Sequence, residues 1–214
     1  MKHQTLMIER KAVEPFQKNG YVVACASTGQ ATYIDPGDEA MEMSDWLKKQ
    51  ELELSSILLT HGHMDHICGV NEVKKRWNVP VHLHQEDEFL YESLKEQGVW
   101  FGLSYSAAPP VDEYLQNDQI LQLGNLTIRA HHTPGHSPGS VTFEFEEHLF
   151  CGDLIFSGGV GRTDLPGGSH ELLIGTIRDR VLSLGDEKIL HPGHGPDTTV
   201  GQERRTNPFL TGNL

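Results

Sequence analysis

Ser56-Ile57-Leu58-Leu59-Thr60-His61-Gly62-His63-Met64-Asp65-His66 runs from a short apolar segment straight into three imidazoles and a carboxylate within six consecutive residues. Neutral imidazole and carboxylate are the donors that divalent zinc, iron or manganese accept. Such a density of polar groups would be costly to desolvate without a cation to share their lone pairs. An incidental solvated histidine run or an engineered tag is the plain alternative. The position inside the chain, the interspersed Gly and Asp, and the strand-like lead-in speak against a tag and for a metal site.

Working outward, Ile67 to Trp77 reads as one amphipathic helix, with Ile67, Val70, Val73, Lys74 and Trp77 near one stripe and Asp65 as its N-cap. Val79 to Leu83 reads as the next strand. Upstream, Leu6-Met7-Ile8, Tyr21 to Cys25 and Ala31 to Ile34 are short β-type runs, stopped by Asp35-Pro36-Gly37. Met41 to Gln50 carries Met43, Trp46 and Leu47 at helical spacing. Short buried strands alternating with helices predict an α/β fold.

Downstream, Gln97 to Asp118 reads as a long irregular loop, a place where function concentrates. Strands follow at 119–123, 126–130, 141–145 and 149–151, with Val141, Phe143 and Phe145 on one buried face. Glu171 to Leu184 reads as a final amphipathic helix with Leu172, Leu173, Thr176, Ile177, Val181 and Leu184 inward, and Lys188-Ile189-Leu190 as a last strand. Three segments share one format, a strand followed by a tight glycine turn bearing a ligand-type side chain. They are Thr133-Pro134-Gly135-His136, Cys151-Gly152-Asp153 and Pro192-Gly193-His194-Gly195. Loops at one edge of a layered sheet can converge, and glycine permits the tight turns. Singly, each would be an ordinary histidine or turn aspartate; with the cluster at 61–66 they become candidate ligands.

The bulk composition bounds the rest. The 214 residues suit one domain over 1–214 with a metal site at one edge, and 37% apolar with 22% charged residues is an ordinary globular mixture. A formal charge of -13 argues against nucleic acid as partner. Met1 to Leu6 lacks a signal-peptide apolar core and no run reaches about 18 apolar residues, so neither secretion nor a membrane span is expected. Cys25, Cys68 and Cys151 are dispersed, which fits a reducing cytoplasm. Cys25 and Cys151 read as core residues, whereas Cys68 is either packed or a thiol near the metal.

Taken in order, T-H-x-H-x-D-H, T-P-G-H, G-D and P-G-H-G resemble the metallo-β-lactamase superfamily from about Tyr21 to about Gly195. The resemblance implies a four-layer αββα sandwich and two divalent metal ions, zinc first, with iron or manganese as alternatives. It implies that His61, His63 and His136 hold one ion, Asp65, His66 and His194 the other, with Asp153 bridging. Two ions sharing a hydroxide make a nucleophile near neutral pH, and Asp65 would orient it or take its proton. Asp35 either braces the Thr60–His63 loop or is a plain turn residue.

Gly161-Arg162-Thr163-Asp164-Leu165-Pro166-Gly167-Gly168-Ser169, with Arg204-Arg205-Thr206-Asn207-Pro208-Phe209, narrows the resemblance to short glyoxalase II proteins, which are hydroxyacylglutathione hydrolase-like. That implies hydrolysis of a small-molecule thioester such as S-lactoylglutathione. Only twenty residues follow His194, too few for the basic C-terminal region with which longer glyoxalase II enzymes grip glutathione. Arg162 is a candidate for a substrate carboxylate or a partner of Asp164; Trp100, Phe101 and Tyr105 are candidates for the cleft wall or for loop packing. Two other readings stand beside the hydrolase. One is a persulfide dioxygenase with one iron on His61, His136 and Asp153; the other is a non-catalytic metal-binding or redox-sensing module. No membrane or nucleic-acid partner is expected, and the oligomeric state is open.

Overall fold

The computed structural model of the chain describes residues 6–14 and 17–212; residues 1–5 of the leader reading lie outside them. One six-stranded sheet contains β1 (Leu6–Val13), β2 (Lys18–Cys25), β3 (Gln30–Ile34), β4 (Glu53–Leu58), β5 (Val81–His84) and β6 (Glu113–Leu115) in that spatial order. Its first three strands are antiparallel and the rest parallel. The second sheet is built from β7 (Gln119–Leu123), β8 (Leu126–His132), β9 (Val141–Phe145) and β10 (His148–Gly152). A small hairpin of β11 (Ile155–Phe156) and β12 (Gly159–Val160) then precedes β13 (Ile189–Pro192) and β14 (Thr198–Thr199). The spatial order in this sheet is β14-β13-β10-β9-β8-β7.

Period-two side chains divide the apolar residues into layers. In β2, Tyr21, Val23 and Cys25 face the space between the sheets, where they meet Ile128, Val141, Phe143, Phe145 and Phe150. The alternate residues Val22 and Ala24 pack outward with Tyr33 against α1 (Ala40–Lys49). The far side of the second sheet, Leu149, Cys151 and Leu190, is covered by Leu173, Ile177 and Val181. Helices therefore flank two stacked sheets, the αββα sandwich. Cys25 and Cys151 are core residues as expected.

Several elements differ from the sequence reading. The helix expected over 67–77 is split into α2 (Met64–Ile67) and α3 (Val70–Trp77). At the break the Gly69 amide donates to the Pro36 carbonyl at 2.9 Å, and a Cβ there would collide with the Gly37 carbonyl and Ala40. Asp65 does not cap: extended His63 stands at the N-cap, and Asp65 lies inside the first turn. The expected loop from Gln97 begins within helix. After α4 (Glu88–Glu92), α5 spans Leu94–Trp100, and β6 closes the same segment. The last predicted helix runs as α6 (His170–Thr176), with Ser169 accepting from the Leu172 amide, then a wide π turn at Ile177–Val181 and a short 3-10 turn at Leu182–Leu184. Leu172, expected to face inward, is exposed, while Leu173, Ile177 and Val181 are buried. The chain ends in α7 (Val200–Thr206) and α8 (Pro208–Thr211), neither of which the sequence reading assigned.

Candidate metal centre

Strands β8, β10 and β13 run in the same direction, so the turns bearing His136, Asp153 and His194 open at one edge of the sandwich. From the facing sheet, β4 brings in the 60–66 segment. The Val141 amide donates to the Thr60 carbonyl at 2.7 Å and so ties the two sheets together at this edge. Two glycines are required by close approach. Gly152 has φ +51°, and a Cβ there would strike the Thr60 hydroxyl. At Gly193 a Cβ would strike the Asp153 carboxylate and the His66 ring.

The seven candidate ligands gather into two adjoining groups. His61, His63 and His136 form one and Asp65, His66 and His194 the other, each with its donor atoms within 4.8 Å of one another. In the first, His63 Nδ1 and His136 Nε2 lie 2.8 Å apart, and the ring pairs of His61 with His63 and His136 meet edge-on. In the second, His194 Nε2 lies 3.2 Å from Asp65 Oδ2 and 3.4 Å from His66 Nε2. Asp153 stands between them. Its Oδ1 is 3.4 Å from His66 Nε2, and its Oδ2 is 3.7 Å from His136 Nε2 and 3.4 Å from His194 Nε2.

Outer hydrogen bonds leave the inward nitrogens free to donate lone pairs. Thr60 Oγ1 donates to Asp35 Oδ2 at 2.6 Å and therefore accepts from His61 Nδ1 at 3.0 Å. His66 Nδ1 donates to the same Asp35 oxygen at 2.9 Å, and His136 Nδ1 donates to the Arg162 carbonyl at 2.8 Å. The tautomers follow from this network. Asp35 Oδ1 also accepts from the Thr60 amide at 2.7 Å, so its oxygens are committed to bracing. Though it lies close to His61 and His66 as a third possible donor group, it reads as a brace.

Buried donor atoms test whether a metal fits. His61 Nε2 and Asp153 Oδ1 are buried without a hydrogen-bond partner, a costly arrangement that a cation would relieve. Five imidazoles and two carboxylates suit zinc, iron or manganese.

The two groups differ in charge. Burial pushes His61 well below its usual range, and His66, His136 and His63 add to the shift. Burial and then His136 take His63 down to about 3. Burial opposes charge on His66 too, but the Asp65 and Asp153 carboxylates outweigh it and raise that imidazole to about 9. For His194, burial is outweighed by hydrogen bonds to Asp153 and Asp65, which raise it to about 11. Asp153 is held well below the usual carboxylate range because His66 and His194 outweigh its burial.

Three supports lay outside the sequence reading. Buried Asp87 accepts from the Gly62 amide at 2.8 Å, Ser137 Oγ at 2.7 Å and the Gly139 amide at 2.6 Å, so it fastens the His61–His63 and His136 turns to each other. Gln97 accepts from the Met64 amide at 3.0 Å and donates to the Gly62 carbonyl at 3.1 Å and the Leu90 carbonyl at 2.7 Å. Asn19 holds the His194 turn through the Pro192 carbonyl at 3.0 Å and the Gly195 carbonyl at 2.8 Å. The neighbouring Lys18 ammonium, fully buried, donates to the Asp35 carbonyl and pairs with Glu39 at 2.8 Å.

A cleft of about 480 Å³ opens onto the two groups, and Trp100, Phe101 and Arg162 line it. Arg162 is paired through Nε and Nη2 with both Asp164 oxygens, at 2.7 and 2.8 Å. Tyr105 does not line this cleft. It packs beside Gly98 and Cys68 on the helical side of the first sheet, because the chain after α5 turns back there. Cys68 belongs to that packing also, and burial with Asp38 nearby pushes its thiol up to about 12. A protonated thiol so placed is no metal ligand.

Residues 13–194 match the family model of the metallo-β-lactamase superfamily. The chain belongs to the metallo-β-lactamase superfamily. Within it, the chain is 41% identical over 212 residues to hydroxyacylglutathione hydrolase GloC of Haemophilus influenzae, covering 95% of this chain and 97% of that one. Among solved structures, BLEG-1 B3 metallo-β-lactamase superposes with a TM-score of 0.89 at 40% identity, covering 96% of this chain and all of the other. TTHA1623 in a di-iron-bound form superposes at 0.86 and 39% identity, covering 94% and 100%. The superfamily is one of metallo-hydrolases, and this member carries its His/Asp metal-binding clusters. No helix among the described residues is long and apolar enough to cross a membrane.

Proposed function

We propose that this metallo-hydrolase cleaves thioesters, with S-(2-hydroxyacyl)glutathiones such as S-lactoylglutathione as the substrates to test first. The observation that carries the reading is Asp153, whose two oxygens lie between a buried three-histidine group and an Asp65–His66–His194 group that holds a second carboxylate. His61, His63 and His136 would hold one ion, Asp65, His66 and His194 the other, and Asp153 would bridge them, with zinc the first choice of metal. Two ions there would supply Lewis acidity and bring the pKa of an attacking water near neutrality.

The chain's own groups do the rest. Asp65 lines the cleft and takes the proton of the attacking water on its carboxylate. Asp35, Thr60 and the Arg162 carbonyl keep His61, His66 and His136 in the required tautomers. As the carbon–oxygen bond forms, the carbon–sulfur bond breaks. The thiolate leaves without a strong acid because a thiol's pKa is only about 8.5.

The similarity to hydroxyacylglutathione hydrolase GloC supports a thioester as substrate. A single-iron persulfide dioxygenase would need only His61, His136 and Asp153; the second group of donors has no use in that reading. Free Cys25, Cys68 and Cys151 support a cytoplasmic setting. S-lactoylglutathione hydrolysis by protein of measured metal content tests the proposal: turnover with two metals per chain is expected. One iron per chain with oxygen uptake on glutathione persulfide would overturn it.

A further inference from the structure

The cleft that opens onto the candidate ligands is chemically one-sided. Away from the candidate ligands its wall is mainly apolar, with Met64, Leu90, Trp100, Phe101, Phe156 and Leu165, and Arg162 is the one Lys or Arg among its lining residues. The Arg162 charge is already balanced by the Asp164 carboxylate, which takes its Nε and one Nη2 hydrogen. Glutathione carries two carboxylates, and a site built to grip it would be expected to offer unpaired cations. This wall offers indole, phenyl and aliphatic surface instead.

The wall is also anchored. Gln97, one helical turn before Trp100 and Phe101, is buried and bonded to the Gly62 carbonyl, the Met64 amide and the Leu90 carbonyl. Those bonds fasten α5 to the very segment that carries His61, His63 and Asp65. Yet Trp100 is 66% exposed and Phe101 53%, on a scaffold held in place from beneath. Large aromatic groups kept in solvent beside a reacting centre mark a surface awaiting an apolar group. On the opposite side, the Phe156 ring stands edge-on to His194 at 6.2 Å, which continues the apolar surface to the second ligand group.

Resting on the thioesterase reading, we infer that the cleft selects thioesters bearing a bulky uncharged apolar substituent and draws no binding energy from the charges of the thiol carrier. S-lactoylglutathione would then be a poor member of the substrate class, because its acyl group is small and polar and leaves the wall uncovered. Apolar contact that persists into the transition state raises kcat/KM.

Three substrates with the same 2-hydroxyacyl chemistry at the carbonyl separate the variables: S-lactoylglutathione, S-(3-phenyllactoyl)glutathione and S-(3-phenyllactoyl)-N-acetylcysteamine. For the zinc-loaded protein the added phenyl ring is expected to raise kcat/KM at least about tenfold. Replacing glutathione by the uncharged carrier should cost less than about threefold and leave KM indifferent to salt between 50 and 300 mM, values on the order used to expose screened charge contacts. Trp100→Ser should erase the phenyl preference through KM. It should also weaken binding of an uncleavable S-(2-phenylethyl)-N-acetylcysteamine thioether, read by isothermal titration with the fold checked by melting. Preference for S-lactoylglutathione, or a loss above about tenfold on removing the glutathione charges, would overturn the inference while leaving thioester hydrolysis standing. Turnover of none of the three by protein holding two metals would overturn the thioesterase reading and this inference together.

Discussion

The two halves of the metal centre are made of similar residues and differ in their electrostatics. His61, His63 and His136 are all buried imidazoles, and burial keeps His61 and His63 neutral. In the other half, His66 and His194 stand 3.2–3.7 Å from the Asp65 and Asp153 carboxylates and hold their protons far into the alkaline range. The first half can take a cation without giving anything up. The second half already balances its carboxylates with protonated imidazoles, so a cation there must displace protons. Burial sets the character of one half and carboxylate neighbours that of the other.

Removing the group shared by both halves should have the largest effect. Asp153→Ala is expected to lose at least one metal equivalent and to abolish hydrolysis, well beyond the ~10–100-fold cost of a lost outer-shell partner. Metal analysis and kcat/KM on one sample check it, and full activity with two metals bound would refute the bridging role.

Proton competition separates the halves. In chelator-stripped protein, His66 should stay charged to about pH 9 and His194 to about pH 11. Affinity of the acidic half should therefore fall by about a hundredfold per pH unit below pH 9, one factor of ten for each displaced proton. The three-histidine half should lose affinity far less steeply over the same range, since burial keeps His61 and His63 from competing for protons there. Stability of the stripped fold runs the other way. The raised imidazoles support it fully below pH 6.5, their unfolded value, and that support is lost as pH rises from there, through about 9 for His66 and about 11 for His194. Competition titrations with a chromophoric chelator from pH 5.5 to 9 check the first expectation. Equal slopes for both equivalents would break the contrast.

Asp87→Asn should touch one half only. It removes an acceptor that joins the Gly62 and Gly139 amides and Ser137, so the equivalent held by His61, His63 and His136 should weaken by about 10–100-fold with the other little changed. The smallest functional effect is expected from Lys18→Met, which leaves Glu39 buried without its ammonium partner. Urea unfolding should show a loss of about 3–5 kcal/mol, and the double variant with Glu39→Gln should recover part of it.

The donors of the centre were legible because ligand chemistry and glycine turns leave marks in the sequence. His61 to His66 stand together, and His136, Asp153 and His194 each follow a strand and a glycine. The supports leave no such mark. Asp87 lies in the run Gln85-Glu86-Asp87-Glu88, whose acidic character reads as a solvated face, yet it is fully buried. Gln97 and Lys18 are residue types found chiefly on surfaces, and only three-dimensional packing turns them inward. The break between α2 and α3 is likewise nonlocal, because the Gly69 amide finds its acceptor at Pro36, 33 positions earlier by their numbering. Tyr105 looked equivalent to Trp100 and Phe101 in an aromatic segment, but the turn after α5 carries it to the other side of the first sheet.

The central claim is a two-ion hydrolytic centre in which Asp153 joins unlike halves. It is tested most directly by titrating zinc into chelator-stripped protein at pH 7 while following S-(3-phenyllactoyl)-N-acetylcysteamine hydrolysis. The account predicts a first equivalent taken up without proton release, a second that releases protons, and activity that rises only with the second. Full activity at one equivalent, or identical proton release for both, would contradict it.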